Sequence, residues 1–227
     1  MFRRKQLTSG TTWHAAGLIA QLRATKNMTR LSRYSQELYG ELEAETGVAT
    51  GFRRNGSITM ALTDERREEI YRQASMARAF GVDVEPLSEG ELQTLHPDLN
   101  TAGFKGAVYL PKDGQGDPGN IALALAKGAR MNGAQVFEHV RVTQVSEVDR
   151  NGQRGVSGVS WTRDDTGETG TIATDFVVNC GGMWAAELGR MNNVNVPLQA
   201  CEHFYIVTEN VPGLTQRPTL RVPDEHA

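Results

Sequence analysis

A chain of 227 residues, 39% hydrophobic and 22% charged, has the make-up of an ordinary globular protein, long enough for one large domain or two small ones and able to bury a core. Its formal charge of −3 and scattered arginines leave no electrostatic footprint for nucleic acid; no apolar run reaches membrane-spanning length, and no apolar stretch follows a positive start as in an export signal. Cys180 and Cys201 lack metal-ligand spacing, no disulfide can be assigned to them from sequence, and the simplest reading is a reducing compartment.

Met1 to Leu7 runs straight into Thr8-Ser9-Gly10-Thr11-Thr12-Trp13-His14-Ala15-Ala16-Gly17-Leu18. A loop of small and hydroxyl residues that sets a tryptophan beside a histidine is poor core material. It reads either as a cofactor site or as a helix-capping loop, with Thr8 and Ser9 bonding free backbone N–H groups and His14 packed at an edge.

Leu31, Tyr34, Leu38 and Leu42 recur at three- and four-residue steps, so the spacing predicts an amphipathic helix from about Thr29 to Glu45, closed by Gly47. Ser57 to Leu62 alternates as a half-buried strand does, and Asp64 to Phe80 returns to helical spacing before Gly81. Ser88-Glu89-Gly90-Glu91 has the form of a capping box ahead of a short helix that Pro97 cannot continue, and His96 falls at that helix end, where a favourable terminus interaction accounts for it.

Asp113-Gly114-Gln115-Gly116-Asp117-Pro118 is a turn followed by a helix start, with Asp117 as N-cap and Pro118 in the first turn. That helix runs to about Asn132, and Gly133 ends it. Val136, Val140, Val142 and Val145, then Val156 to Trp161, then the Asp165-Thr166-Gly167 turn predict a small antiparallel β-meander. Asp175 to Cys180 reads as a buried strand breaking at Gly181-Gly182, with a helix over Trp184 to Met191; strand, paired glycine and helix is the order of a nucleotide-binding sheet. His203 to Thr208 closes the pattern as a strand in which His203 and Tyr205 share one face. His139 and His226 have no chemical company.

Four of these segments match one family in order. Leu7 to Leu18 resembles, at every position, the flavin-attachment loop L-T-[SA]-G-[ST]-T-W-H-x-A-G-L of the sarcosine and dimethylglycine dehydrogenases, FAD-dependent amine oxidoreductases of the D-amino-acid oxidase-like superfamily. Asp113-Gly114 with Asp117-Pro118, Val178-Asn179-Cys180-Gly181-Gly182-Met183-Trp184, and His203 to Thr208 follow. The resemblance implies that His14 carries a covalent bond to the flavin 8α-methyl carbon, a role that suits imidazole because its neutral ring nitrogen is nucleophilic near neutral pH. It also implies that Ser9, Gly10, Thr11, Thr12, Trp13, Ala15, Ala16, Gly17, Leu18, Val142, Gly181, Gly182 and Trp184 border FAD. His203, with Tyr205 beside it, then becomes the catalytic candidate that positions or deprotonates the substrate amine. The plain alternatives stay open: a strand-to-helix turn with Trp184 in the core, a valine that only packs, and a satisfied histidine in a half-buried strand.

The fold class so implied is α/β: a partial FAD-binding domain, a mixed sheet with helices and the β-meander, at about 1–27 and 98–190, with part of an α+β substrate domain at about 28–97 and 191–227. The family places about 40 residues with a G-x-G-x-x-G turn before the attachment loop, cradling the pyrophosphate at a helix N-terminus. This sequence does not contain them, and the chain reads as an internal fragment. The implied reaction is oxidative demethylation of an N-methyl amino acid, sarcosine or dimethylglycine, by hydride transfer to the flavin. Electron-transfer flavoprotein and tetrahydrofolate are the implied partners of the whole enzyme. The wording of Leu7 to His14 and Gln21-Leu22-Arg23 leans towards the sarcosine enzyme. Two alternatives are an amino-acid oxidase with noncovalent FAD and a truncated chain with only a structural or interaction role. The compartment would be the cytoplasm of a bacterium or the mitochondrial matrix of a eukaryote.

Overall fold

The alternation of Ser57-Ile58-Thr59-Met60-Ala61 forms β2 (Ser57–Ala61), the centre of a four-stranded sheet in the computed structural model, which describes residues 1–214 and 216–225. His226 lies outside the described residues. Contacts divide the chain into two units, Met1–Thr12 with Ala129–Val211 and Trp13–Gly128 with Pro212–Ala227, whereas the sequence-based boundaries fall near residues 27, 97 and 190.

In the second unit β2 pairs antiparallel with β4 (Gly106–Leu110), which pairs with β3 (Glu85–Leu87) at one edge; β9 (Thr219–Arg221) runs parallel to β2 on its other side. One sheet face takes Ile58 and Met60 with Leu87, Leu92, Ala107 and Val222. The opposite face takes Ala61, Val108 and Leu110 against Ile70, Ala74 and Ala77 of α2 (Asp64–Ala79). Both faces are therefore covered, and β2 is more deeply buried than its half-apolar alternation suggests: two of the three α2 residues on the second face are alanines, too small to stand out as an apolar stripe. Ser88 and Glu91 close a reciprocal capping box on α3 (Glu89–Leu95), as its spelling predicts. His96, at the end of α3, places Nε2 2.6 Å from the Pro218 carbonyl oxygen and so holds the approach to β9. Beyond β9, Asp224 accepts from the Leu62 backbone N–H at 2.9 Å and pairs with Arg66 at 3.0 Å.

Helix α1 (Lys26–Thr46) is capped by the Thr25 side chain and ends on Gly47 at φ 68°. Its burial differs from the predicted face: Leu42 is inside, but Leu31 and Tyr34 are 57% and 62% exposed, while Thr29 and Gln36 are buried. The helix packs on polar backbone. Thr29 Oγ1 accepts from the Arg23 N–H at 3.1 Å, and Gln36 Nε2 donates to the Lys112 carbonyl at 2.5 Å. A short antiparallel pair, β1 (Leu18–Ile19) with β5 (Gly114–Gln115), lies beneath it, and Asp117 then accepts from the Asn120 N–H at the start of α4 (Pro118–Met131).

In the first unit β6 (Val140–Arg150), β7 (Gln153–Arg163) and β8 (Thr169–Ala173) form the expected antiparallel meander. Asn151 and Gly152 both take positive φ in the first hairpin turn, the geometry that matches strand twist. Met1 to Arg3 pairs in parallel alongside residues 135–140, with Arg3 N–H donating to Phe137 O at 2.8 Å, and the Phe2 ring rests 5.7 Å from Phe137 and 6.2 Å from Trp161.

Two expected strands do not form. Asp175 to Cys180 and His203 to Thr208 are irregular and exposed, with Phe176 at 86% and Ile206 at 90%, and Cys180 is on the surface rather than buried. A strand exists only through its ladder, and among the described residues no other strand lies alongside either segment. Beyond Gly181-Gly182 a 3-10 turn leads into the short α5 (Ala185–Arg190), so the helix expected over Trp184 to Met191 is present.

The burial of Ile58 in β2 and the exposure of Leu31 on α1 make a paired prediction. Ile58→Ala should lower stability by about 2–5 kcal/mol, whereas Leu31→Ala should stay within about 0.5 kcal/mol of the parent, as read by urea unfolding.

Candidate functional site

Leu7 to Leu18 divides between the two units: Leu7 to Thr12 belong to the first and Trp13 to Leu18 to the second. In the first, the Leu7 N–H donates to Glu138 Oε1 at 2.5 Å. Thr8 adopts φ 66°, unusual for a β-branched residue. Ser9 donates its hydroxyl to the Gln6 carbonyl at 2.8 Å, so it closes a local turn and caps no helix. At Gly10 a β-carbon would sit 2.7 Å from Arg3 Nη2, and the glycine therefore lets that guanidinium lie against the loop.

The chain makes a short 3-10 turn over Thr12–His14, and the Trp13 and His14 rings are both exposed. Trp13 is 57% exposed, and its ring centroid lies 3.8 Å from that of His14 at an interplanar angle of 38°. Ala15 and Ala16, both exposed, carry the chain to Gly17. There φ is 82°, the Gly17 carbonyl accepts from the Gly116 N–H at 3.0 Å, and a β-carbon would collide with the Gly116 carbonyl oxygen. Leu18 begins β1 opposite Gln115.

Three residues on, the Gln21 N–H donates to Asp113 Oδ1 at 2.9 Å, and Ser57 Oγ donates to Asp113 Oδ2 at 2.6 Å. Asp113 is 1% exposed. Burial pushes its pKa above the usual carboxylate range, against the opposing pull of the Ser57 and Gln21 hydrogen bonds and of Arg23 and Arg221. Its neighbour Gln36 accepts from Gln21 Nε2 at 2.5 Å. In the sequence Asp113 reads as a turn residue within one of the segments that match the family, with no sign of a buried carboxylate. Its burial has no local signature, since Asp-Gly marks exposed turns just as often.

The remaining candidates lie in the first unit. Val142 is a half-buried residue of β6 opposite Trp161. Gly182 has φ 55° with nothing within 4 Å of where a β-carbon would point, and a β-carbon on Gly181 would lie 3.1 Å from the Ala185 Cα. Both glycines are thus explained by the turn into α5 and its packing. Trp184 is exposed rather than core. His203 and Tyr205 occupy the irregular exposed segment.

The donor set suits a flavin. An exposed imidazole tilted against an indole offers a nucleophile without a metal-type cluster of carboxylates and thiols. Among the described residues no three His, Cys, Asp or Glu side chains come together to hold a metal, and no helix is long and apolar enough to cross a membrane.

Residues 2–227 match the FAD dependent oxidoreductase family, and the chain belongs to it. Among its relatives, mitochondrial sarcosine dehydrogenase of Homo sapiens is 40% identical over 99% of this chain, and the mitochondrial pyruvate dehydrogenase phosphatase regulatory subunit of Mus musculus is 35% identical over 97%. The chain spans 24% of the length of each. The crystal structure of glycine oxidase from Geobacillus kaustophilus superposes with a TM-score of 0.67 at 30% identity, covering 85% of this chain and 50% of that one. The chain is thus an α/β domain of an FAD-dependent amine and amino-acid oxidoreductase family.

Two outcomes follow for this region. Gly17→Ala should cost about 1–3 kcal/mol in urea unfolding through backbone strain and collision with Gly116. For Asp113 the raised folded pKa means that the unfolded chain releases its proton first as pH rises. The Asp113 contribution is then fully present below the ordinary carboxylate pKa of about 4 and is lost as pH climbs through the raised value. The stability of the parent relative to Asp113→Asn should therefore decline from acid towards neutral pH, as read by urea midpoints across that range.

Proposed function

We propose that the protein to which this chain belongs oxidises an N-methyl amino acid, of the sarcosine or dimethylglycine kind, with FAD attached through His14. The observation that carries this reading is the complete match of Leu7 to Leu18 to the attachment motif, with His14 at the surface against Trp13. The 40% identity to a sarcosine dehydrogenase over 99% of the chain supports the substrate class. When bound, the flavin supplies the hydride acceptor for the substrate C–H bond.

The chain's own residues have narrower tasks. The His14 imidazole provides the nucleophilic nitrogen for attachment, the Trp13 ring fixes its plane, and the Gly17–Gly116 hydrogen bond ends the loop at a defined point. Ser9, Gly10, Thr11, Thr12, Ala15, Ala16, Leu18, Val142, Gly181, Gly182 and Trp184 border the cofactor. His203 positions the substrate amine or takes its proton, with Tyr205 alongside. The domain division proposed is a cofactor part at about 1–27 and 98–190 and a substrate part in the remainder. Electron-transfer flavoprotein and tetrahydrofolate are proposed partners of the whole protein, in a bacterial cytoplasm or a mitochondrial matrix.

A second reading, a non-catalytic role, draws on the relative named as a regulatory subunit. Acid precipitation separates the two. Protein purified as the cell makes it should keep its yellow colour in the washed pellet, and His14→Ala should send the colour to the supernatant. Flavin wholly in the supernatant of the parent protein would leave a noncovalent oxidase, and a colourless preparation would favour the regulatory reading.

A further inference from the structure

We infer that Asp113 is a positioning residue for the His14 loop, anchoring from within the fold the segment by which that loop re-enters the protein; the link to flavin rests on the function proposed for His14. The segment needs such an anchor. After Gly17 the chain is held by a strand of two residues, Leu18 and Ile19, paired with Gln115 and Gly114, and a ladder so short has little stability of its own.

Asp113 extends this hold beyond the ladder. One carboxylate oxygen takes the Gln21 N–H at 2.9 Å; the other takes the Ser57 hydroxyl at 2.6 Å, at the start of the buried strand β2. The Gln21 side chain in turn donates to Gln36 of α1, whose own amide donates to the Lys112 carbonyl at 2.5 Å and to the Ile19 carbonyl at 3.3 Å. The end of the loop is thereby tied to β2, to α1 and to the chain entering β5. Every tie is buried or partly buried, so each group that lost its partner would be left without water to replace it. Arg23 and Arg221 act on the same carboxylate as opposite charges.

The geometry also sets what a substitution does. Alanine at 113 strands the Gln21 N–H and the Ser57 hydroxyl. Asparagine keeps both contacts, because its carbonyl accepts from Gln21 and its amide donates to the Ser57 oxygen. A residue needed only as a buried charge would not be replaced by asparagine; a residue needed to hold Gln21 would.

The test is hydrogen–deuterium exchange read by mass spectrometry on the parent chain, Asp113→Ala, Asp113→Asn and Ser57→Ala. Peptides covering 13–23 should exchange about tenfold faster in Asp113→Ala, with those covering 57–62 and 106–110 unchanged, and Asp113→Asn should restore protection to within about twofold. If Asp113→Ala unfolds altogether, Ser57→Ala, which removes one tie alone, should still loosen 13–23 selectively. Parental exchange of 13–23 in both Asp113→Ala and Ser57→Ala overturns the proposal, and so does a loosened 13–23 in Asp113→Asn. In protein produced with FAD supplied, Asp113→Ala should also lower the acid-stable flavin fraction several-fold and Asp113→Asn should not. If the parent holds no acid-stable flavin, the assignment of His14 fails, while the exchange data still decide the role of Asp113.

Discussion

The unit built from Trp13 to Gly128 is organised by the need to satisfy polar atoms that its own chain carries inside. Gln36 sits in the middle of a 21-residue helix and is 1% exposed. Its side chain accepts one hydrogen bond and donates two, all to the segments on either side of the β1–β5 pair. A buried amide without partners would cost more than a leucine gains there, so the helix turns this face inward and leaves Leu31 and Tyr34 in water. The sheet, the α1 helix and the loop that ends at Gly17 take their relation to one another from this small set of bonds.

Much of the local structure was legible because its causes are local. Ser88 and Glu91 spell a capping box, Gly47 supplies the left-handed turn after α1, and Asp117-Pro118 starts α4; in each case a few adjacent residues carry the whole reason. The orientation of α1 was not legible, since apolar spacing identifies a face without saying that a polar partner claims the opposite one. Asp175 to Cys180 and His203 to Thr208 show a second limit. Alternation says that a segment suits a sheet, but a strand also needs a neighbour, and the described residues offer none to Phe176 or Ile206. Those apolar side chains stand in solvent, the kind of surface that in folded proteins is ordinarily covered.

At the candidate site the legible part was again the contiguous part. Leu7 to Leu18 names a family in twelve consecutive residues, and the structure adds the tilted contact of His14 with Trp13 and the reason for Gly17. Gly181 and Gly182 gave the right turn into a helix, yet their own backbone geometry accounts for them without any ligand. Asp113 was hidden for the opposite reason. Its partners lie 92 and 56 residues away, and only the folded chain brings Gln21 and Ser57 to one carboxylate.

The division of the motif between Thr12 and Trp13 bears on how such proteins can diverge. The hydroxyl residues travel with one unit and the imidazole with the other, so a crossover that exchanged units between two relatives would join one parent's Thr11-Thr12 to the other's Trp13-His14. Only parents with compatible spelling on both sides would leave the loop intact. The twelve-residue segment is thus the place where a chimera of mismatched units would join residues of different origin.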